Sequence, residues 1–137
     1  FYAHHDTDAS RHTVGTDALN TVLSSAEFGH VMTSDYVYDE TVTLTQMRTG
    51  DIDAGLEVGR RIRGAGYPSA IELLQSSSTL FDRAVSVHQT YADHELSFTD
   101  AMTVAMVDYH EIDGMLSFDD DFNGVVPRLV PDTLTFQ

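Results

Sequence analysis

Residues 115–122 read Met-Leu-Ser-Phe-Asp-Asp-Asp-Phe, a short apolar run that leads directly into three aspartates. The run from Met115 to Phe118 predicts a strand, and Asp119 comes immediately after its carboxyl end. In open α/β sheets, ligands bind in the crevice outside the carboxyl ends of the strands. This stretch therefore predicts both an α/β fold and the position of a functional site within it.

Outward from this stretch, the chain alternates strand-like and helix-like segments. Strands are predicted at 30–33 and 71–74, and helices at 8–26, 34–47, 51–63, 76–91 and 97–110. The helix at 51–63 carries Ile52, Leu56 and Ile62 as apolar residues, and the helix at 97–110 is apolar on nearly all sides. Val125-Val126 is expected to begin a last edge element, shortened by the prolines that follow. The alternation predicts an α/β sandwich around a mostly parallel sheet, in a single domain spanning 1–137.

The charge balance is strongly acidic. The chain has 22 acidic and 7 basic residues, a formal charge of −15, and no lysine. At molar salt the screening length falls to about 3 Å, so this self-repulsion largely disappears. Acidic surfaces without lysine are typical of halophilic adaptation; the alternative is an acidic protein that binds a basic partner. Only Arg60-Arg61-x-Arg63 forms a candidate basic patch for nucleic acid.

The absent residue types also restrict the chemistry. There is no cysteine, which excludes disulfides, thiolate metal sites and a cysteine nucleophile. No apolar run approaches the ~18 residues that a membrane span needs, and no signal-peptide pattern is present. These observations predict a cytoplasmic protein that does not enter the membrane.

Three acids are distinguished by their predicted positions. Glu40 lies one turn into the helix after the first predicted strand, Asp100 lies in the first turn of the most apolar helix, and Asp119 follows a strand. If these carboxylates converge, they would bind a hard cation such as Mg²⁺ or Mn²⁺. Such ions activate water and stabilise the leaving oxygen in phosphodiester cleavage.

Each acid also has a purely structural interpretation. Ser97-Phe-Thr-Asp100 fits a capping box, in which the acid bonds to the N–H of the cap residue. Glu40 would be an ordinary solvated helix acid, and residues 119–121 an acidic turn. An EF-hand loop beginning at Asp119 is disfavoured, because Val130 occupies the position of its bidentate glutamate and a strand precedes it.

The order of the motifs resembles that of the PIN-domain family. Residues 1–12 are similar to the segment that follows the family's first strand. The second, third and fourth family motifs resemble, in that order, Thr33-Ser-Asp-Tyr-Val-Tyr-Asp-Glu-Thr41, Leu96-Ser-Phe-Thr-Asp-Ala101 and Leu116-Ser-Phe-Asp-Asp-Asp-Phe122. The resemblance thus extends over nearly the whole chain.

The resemblance implies a PIN-like three-layer sandwich with Glu40, Asp100 and Asp119 as catalytic residues and metal ligands, and Asp121 as a further ligand. It implies an Mg²⁺- or Mn²⁺-dependent endoribonuclease that acts on RNA, commonly the toxin of a toxin–antitoxin pair of the VapBC type. A homodimer and a small antitoxin that blocks the site are implied as well. The family pattern begins with a central strand ending in aspartate, which would precede Phe1 and is expected to be missing from this sequence.

Two other functions remain open at this point. The first is a non-catalytic interaction module that keeps the PIN fold, which the missing first aspartate favours. The second is a structure-specific DNA nuclease on a related fold, which would normally be longer.

Overall fold

The computed structural model describes residues 12–64 and 71–136. Short 3-10 turns occur at Ala92–His94 and Asp120–Phe122. The helices and strands follow in the order α1 (His12–Ser24), β1 (Met32–Ser34), α2 (Asp35–Thr49), α3 (Ile52–Ile62), β2 (Glu72–Leu74), α4 (Ser78–Thr90), α5 (Phe98–Tyr109), β3 (Met115–Leu116), β4 (Arg128–Val130) and β5 (Thr135–Phe136).

The chain forms two compact units, Phe1–Leu74 and Gln75–Gln137. Each has its own small sheet, with β1 parallel to β2 in the first unit and the order β3-β4-β5 in the second. The single domain over 1–137 therefore stays a prediction. No helix in the described ranges has the length and apolarity that crossing a bilayer requires.

Local capping chemistry defines the first unit's α2 as the sequence predicts. The Ser34 hydroxyl accepts a hydrogen bond from the Val37 N–H at 3.1 Å, which satisfies one of the free donors at the helix start. The helix ends at Gly50, whose φ of 67° is a left-handed conformation that favours glycine. The predicted helix at 8–26 is found as α1, and its first four residues lie outside the described ranges.

Helix α3 buries a different face from the one that its large apolar residues suggest. Ile52 and Leu56 are 68% and 62% exposed, whereas Gly55, Val58, Gly59 and Ile62 are buried. A Cβ added at Gly59 would lie 2.6 Å from the Tyr38 hydroxyl, so α3 approaches α2 too closely for a side chain there. Close backbone approach therefore selects the glycine face, and of the three predicted apolar residues only Ile62 is buried.

The second unit is organised around α5, which packs on α4. Five of the six residues from Ala101 to Met106, together with Val107, are buried, as its apolar sequence predicts. Its core side chains meet the buried residues Leu96, Phe122 and Val126. In the sheet, β3 is parallel to β4, with Met115 opposite Arg128, and β4 is antiparallel to β5. The predicted α/β class with mostly parallel pairing is confirmed.

The last predicted element is wrong in position and in role. Val125 and Val126 lie in a turn, because both of their N–H groups bond back to the Phe122 carbonyl. The strand begins instead at Arg128 and occupies the middle of the three-stranded sheet, not its edge. The Pro127 carbonyl accepts from the Met115 N–H, so this proline starts the ladder although it has no donor of its own.

Candidate metal centre

The strand predicted from Met115 to Phe118 ends at Leu116, because Ser117 already belongs to a tightly hydrogen-bonded acidic turn, defined here as residues 117–123. The Ser117 hydroxyl accepts from the Asp119 N–H at 3.0 Å, and Asp119 Oδ1 accepts from the Asp121 N–H at 2.9 Å. Phe122 closes the 3-10 turn and is buried in the core of the second unit. The turn is therefore anchored from inside while its acids remain in solvent.

Asp119, Asp120 and Asp121 form a compact carboxylate cluster at this turn. Each offers an oxygen atom, and these oxygens lie within 4.8 Å of one another; all three residues are exposed. The negative charge of Asp119 is the main cause that raises the pKa of Asp121, followed by desolvation and then by the charges of Asp120 and Glu95. Repulsion within the turn therefore favours any added positive charge, whether a proton or a cation.

The donor set of the acidic turn fits a hard divalent cation. Carboxylate oxygens are the ligands that Mg²⁺ and Mn²⁺ prefer, and the cluster's exposure leaves positions for water and for phosphate oxygens. The sequence predicts Asp119 and Asp121 as ligands, and in the structure their carboxylate oxygens lie within 4.8 Å of each other. Asp120 is an additional member, and the signal for it is the plain run of three acids at a strand end.

Arg128 lies behind the acidic turn. Its side chain is almost completely buried; Nε donates to Asn123 Oδ1 at 2.7 Å and Nη1 donates to the Ser117 carbonyl at 2.9 Å. Sequence reasoning missed this residue, because an arginine between two prolines in an acidic chain has the appearance of a surface charge.

Asp100 closes the predicted capping box at the start of α5. Its N–H donates to the Ser97 hydroxyl at 3.1 Å, and its Oδ2 accepts from the Ser97 N–H at 2.9 Å. Its Oδ1 makes no hydrogen bond to any residue that the structure describes, so one carboxylate oxygen remains available for a ligand. Asp100 is not part of the cluster at 119–121, and its role as a metal ligand stays a prediction.

Glu40 projects from α2 in the first unit. It is exposed, as is Asp39, and it forms no hydrogen bond or ion pair with the residues that the structure describes. Asp39 accepts a long hydrogen bond of 3.4 Å from the Thr43 hydroxyl in the next turn. Of the two acids, Glu40 is thus the one without a hydrogen bond to a described residue of its helix, and its convergence with the acidic turn stays a prediction.

The candidate basic patch on α3 is partly neutralised. Glu57 accepts from Arg60 at 2.9 Å and from Arg61 at 3.0 Å. The hydrogen bond from Arg60 is the largest cause that lowers the pKa of Glu57, and the hydrogen bond from Arg61 is the second. Two of the three arginines therefore share a carboxylate, which weakens the patch as a binding surface for phosphates.

Comparison with known proteins identifies the architecture. No protein-family model matches the chain, and no curated protein matches it by sequence. Among solved structures, it is similar to Mycobacterium tuberculosis VapC20, a PIN-domain protein described as a sarcin–ricin loop cleaving toxin. The TM-score is 0.74 at 25% identity, over 89% of this chain and 86% of that one.

The chain has a PIN-like fold. The resemblance that the three motifs carry is thereby confirmed over most of the chain. The acidic turn at 117–123 overlaps Leu116–Phe122, the segment that resembles the fourth PIN motif. The hydrogen bonds of this turn hold the oxygens of three carboxylates close together.

Proposed function

We propose that this protein is a metal-dependent endoribonuclease of the PIN class and the toxin of a toxin–antitoxin pair. The observation that carries the proposal is the carboxylate cluster Asp119–Asp121 in the turn that follows β3 of a PIN-like fold. The similarity to VapC20, described as a toxin that cleaves the sarcin–ricin loop, supports RNA as the substrate.

The proposed roles divide among the acids of the fold. Asp119 and Asp121 hold Mg²⁺ or Mn²⁺ together with Glu40 and Asp100, and Asp120 adds negative charge to the same turn. A bound divalent ion supplies an activated water and stabilises charge on the phosphate during hydrolysis. Asp100 binds through Oδ1 while Oδ2 keeps the cap of α5, so a single residue both starts the helix and faces the ion.

Protein partners are part of the proposal. An antitoxin would cover the acidic turn, and the protein would act in the cytoplasm as a homodimer. On the first unit, Met47, Ile52 and Leu56 are between 62% and 77% exposed. Exposed apolar side chains indicate a protein-binding surface when they form a contiguous patch, and these three residues would contribute to such a patch if a partner binds the first unit.

Two observations favour a second function, a non-catalytic interaction module. The capping box accounts for the position of Asp100 without any metal, and Glu40 is exposed like an ordinary helix acid. In that case the chain would keep the PIN-like fold and bind partners without cutting RNA.

Asp119→Asn separates these functions. Asparagine keeps an Oδ1 acceptor for the Asp121 N–H, so the turn should retain its shape, but it lacks the charge that a divalent ion requires. We expect RNA cleavage by the full-length protein in Mn²⁺ to fall by about 100-fold or more, equivalent to the several kcal/mol that such ions contribute.

The matched control is Asp82→Asn, which removes an exposed aspartate on α4 of the same unit. It should cleave RNA at the parental rate. Equal activity of Asp119→Asn and the parent would remove Asp119 from the site. A parent that cuts no RNA in Mn²⁺ would argue against the nuclease and favour the interaction module instead.

A further inference from the structure

A buried arginine needs a compensating set of hydrogen bonds. Arg128 is 6% exposed and is the only charged residue of the described ranges that is buried. Removing a guanidinium from water is costly unless its donors find acceptors. The protein has only seven basic residues, and this one lies in a short strand. Its burial there therefore requires a structural explanation.

The two hydrogen bonds of Arg128 reach opposite ends of the acidic turn. Nη1 bonds to the carbonyl of Ser117, where the chain leaves β3, and Nε bonds to the side chain of Asn123, where the 3-10 turn ends. A guanidinium presents several donors in one rigid plane, so a single side chain can hold both ends at a fixed separation.

Both partners of Arg128 in turn form hydrogen bonds with the backbone of the aspartates in the acidic turn. The Ser117 hydroxyl accepts from the Asp119 N–H, and the Asn123 N–H donates to the Asp120 carbonyl at 2.9 Å. Arg128 is thus linked to the backbone of Asp119 through Ser117 and to the backbone of Asp120 through Asn123. It makes no ion pair with any of them, so its influence passes through the backbone and not through direct charge pairing.

We propose that Arg128 is a positioning residue that fixes the spacing of the metal-binding carboxylates by bridging the two ends of the acidic turn. This inference rests on the proposed function, because it assumes that the cluster binds a divalent ion. It assigns Arg128 no contact with RNA. Groups that orient metal ligands from behind typically contribute 10–100-fold to metal affinity.

The test compares Mn²⁺ affinity among variants of the full-length protein, measured by isothermal titration calorimetry. Arg128→Lys keeps the charge, but one ammonium group cannot reproduce the fork between Ser117 and Asn123. We expect its Mn²⁺ dissociation constant to rise by roughly 10-fold or more. RNA cleavage should show a lower kcat at an unchanged KM, because substrate contacts are not altered.

Two further variants keep the result interpretable. Asn123→Ala removes one acceptor at an exposed residue and leaves Arg128 in place, so it should fold normally and weaken Mn²⁺ binding by a smaller factor. Arg83→Lys makes the same chemical change at an exposed arginine of α4 that pairs with Asp108, and its Mn²⁺ affinity should equal that of the parent. Circular dichroism confirms that each variant is folded at the titration temperature.

The outcomes distinguish the inference from the function beneath it. A parent that binds Mn²⁺, with Asn123→Ala and folded Arg128→Lys binding equally well, would overturn the positioning role and leave the proposed function intact. A parent that binds no Mn²⁺ would overturn the proposed function itself. Weaker binding by Asn123→Ala with unchanged Arg83→Lys supports the role even if Arg128→Lys fails to fold.

Discussion

Two acidic segments of the second unit use the same capping chemistry with opposite electrostatic consequences. At the start of α5, Ser97 and Asp100 satisfy each other's N–H groups, and the lone carboxylate faces the positive end of a helix. In the acidic turn, Ser117 and Asp119 also cap N–H groups, but three carboxylates lie together and repel one another. The first arrangement is stabilising without a ligand, whereas the repulsion in the second is relieved when a proton or a cation is added.

Among the variants that test this contrast, Asp100→Asn is expected to have the largest effect on RNA cleavage. If Asp100 is a metal ligand as well as a cap, RNA cleavage should fall by about 100-fold or more, because asparagine lacks the charge that Mg²⁺ needs. The fold should remain, since asparagine still offers an acceptor to the Ser97 N–H. Cleavage assays in Mn²⁺ would reveal a cap without catalytic function if the variant matched its parent.

A smaller effect is expected from Ser97→Ala, which removes the cap and leaves the acid. The loss of an N-cap hydroxyl should lower the free energy of unfolding by about 1 kcal/mol. Chemical denaturation measures this change, and RNA cleavage by the folded variant should stay near the parental rate. A large loss of cleavage without a loss of stability would show that the cap and the site at this helix are not separable.

The smallest effect concerns pH. Because the pKa of Asp121 is raised in the folded protein, chiefly by Asp119, the folded state binds this proton more tightly than the unfolded state does. The stability of the metal-free protein should therefore decrease as pH rises from the ordinary aspartate pKa through the raised value, and stay level above it.

Carbon-detected NMR of the Asp121 carboxyl group measures this shift directly. In Asp119→Asn the main source of repulsion is gone, so the pKa of Asp121 should fall towards its ordinary value. An unchanged pKa in that variant would mean that the carboxylates are not held close together.

Local rules made much of the fold predictable from sequence. Ser34, Gly50 and Ser97 mark helix ends through capping, which depends only on residues within one turn. The buried face of α3 could not be inferred in this way, because it depends on how closely a second helix approaches Gly55 and Gly59. The halophilic origin rests on composition alone and stays a prediction.

The candidate site also contains parts that follow from local sequence and parts that depend on tertiary contacts. Asp119 and Asp121 are near neighbours in sequence, so their proximity follows from the turn itself. Arg128 is linked to Ser117 across 11 residues through the pairing of β3 with β4, a register that the sequence does not specify. The convergence of Glu40 and Asp100 on the same ion requires contacts over still longer separations and stays a prediction.

The most direct test of the metal centre is a titration of Mn²⁺ into the ¹⁵N-labelled protein, followed by paramagnetic broadening of amide signals. About 1 M KCl should be present, because it screens diffuse attraction of cations to a chain of charge −15. We expect residues 117–123 to broaden first, at less than one equivalent, and excess Mg²⁺ or Asp119→Asn to reverse the effect. Broadening spread evenly over the exposed acids, and unaffected by Asp119→Asn, would contradict a metal site at the acidic turn.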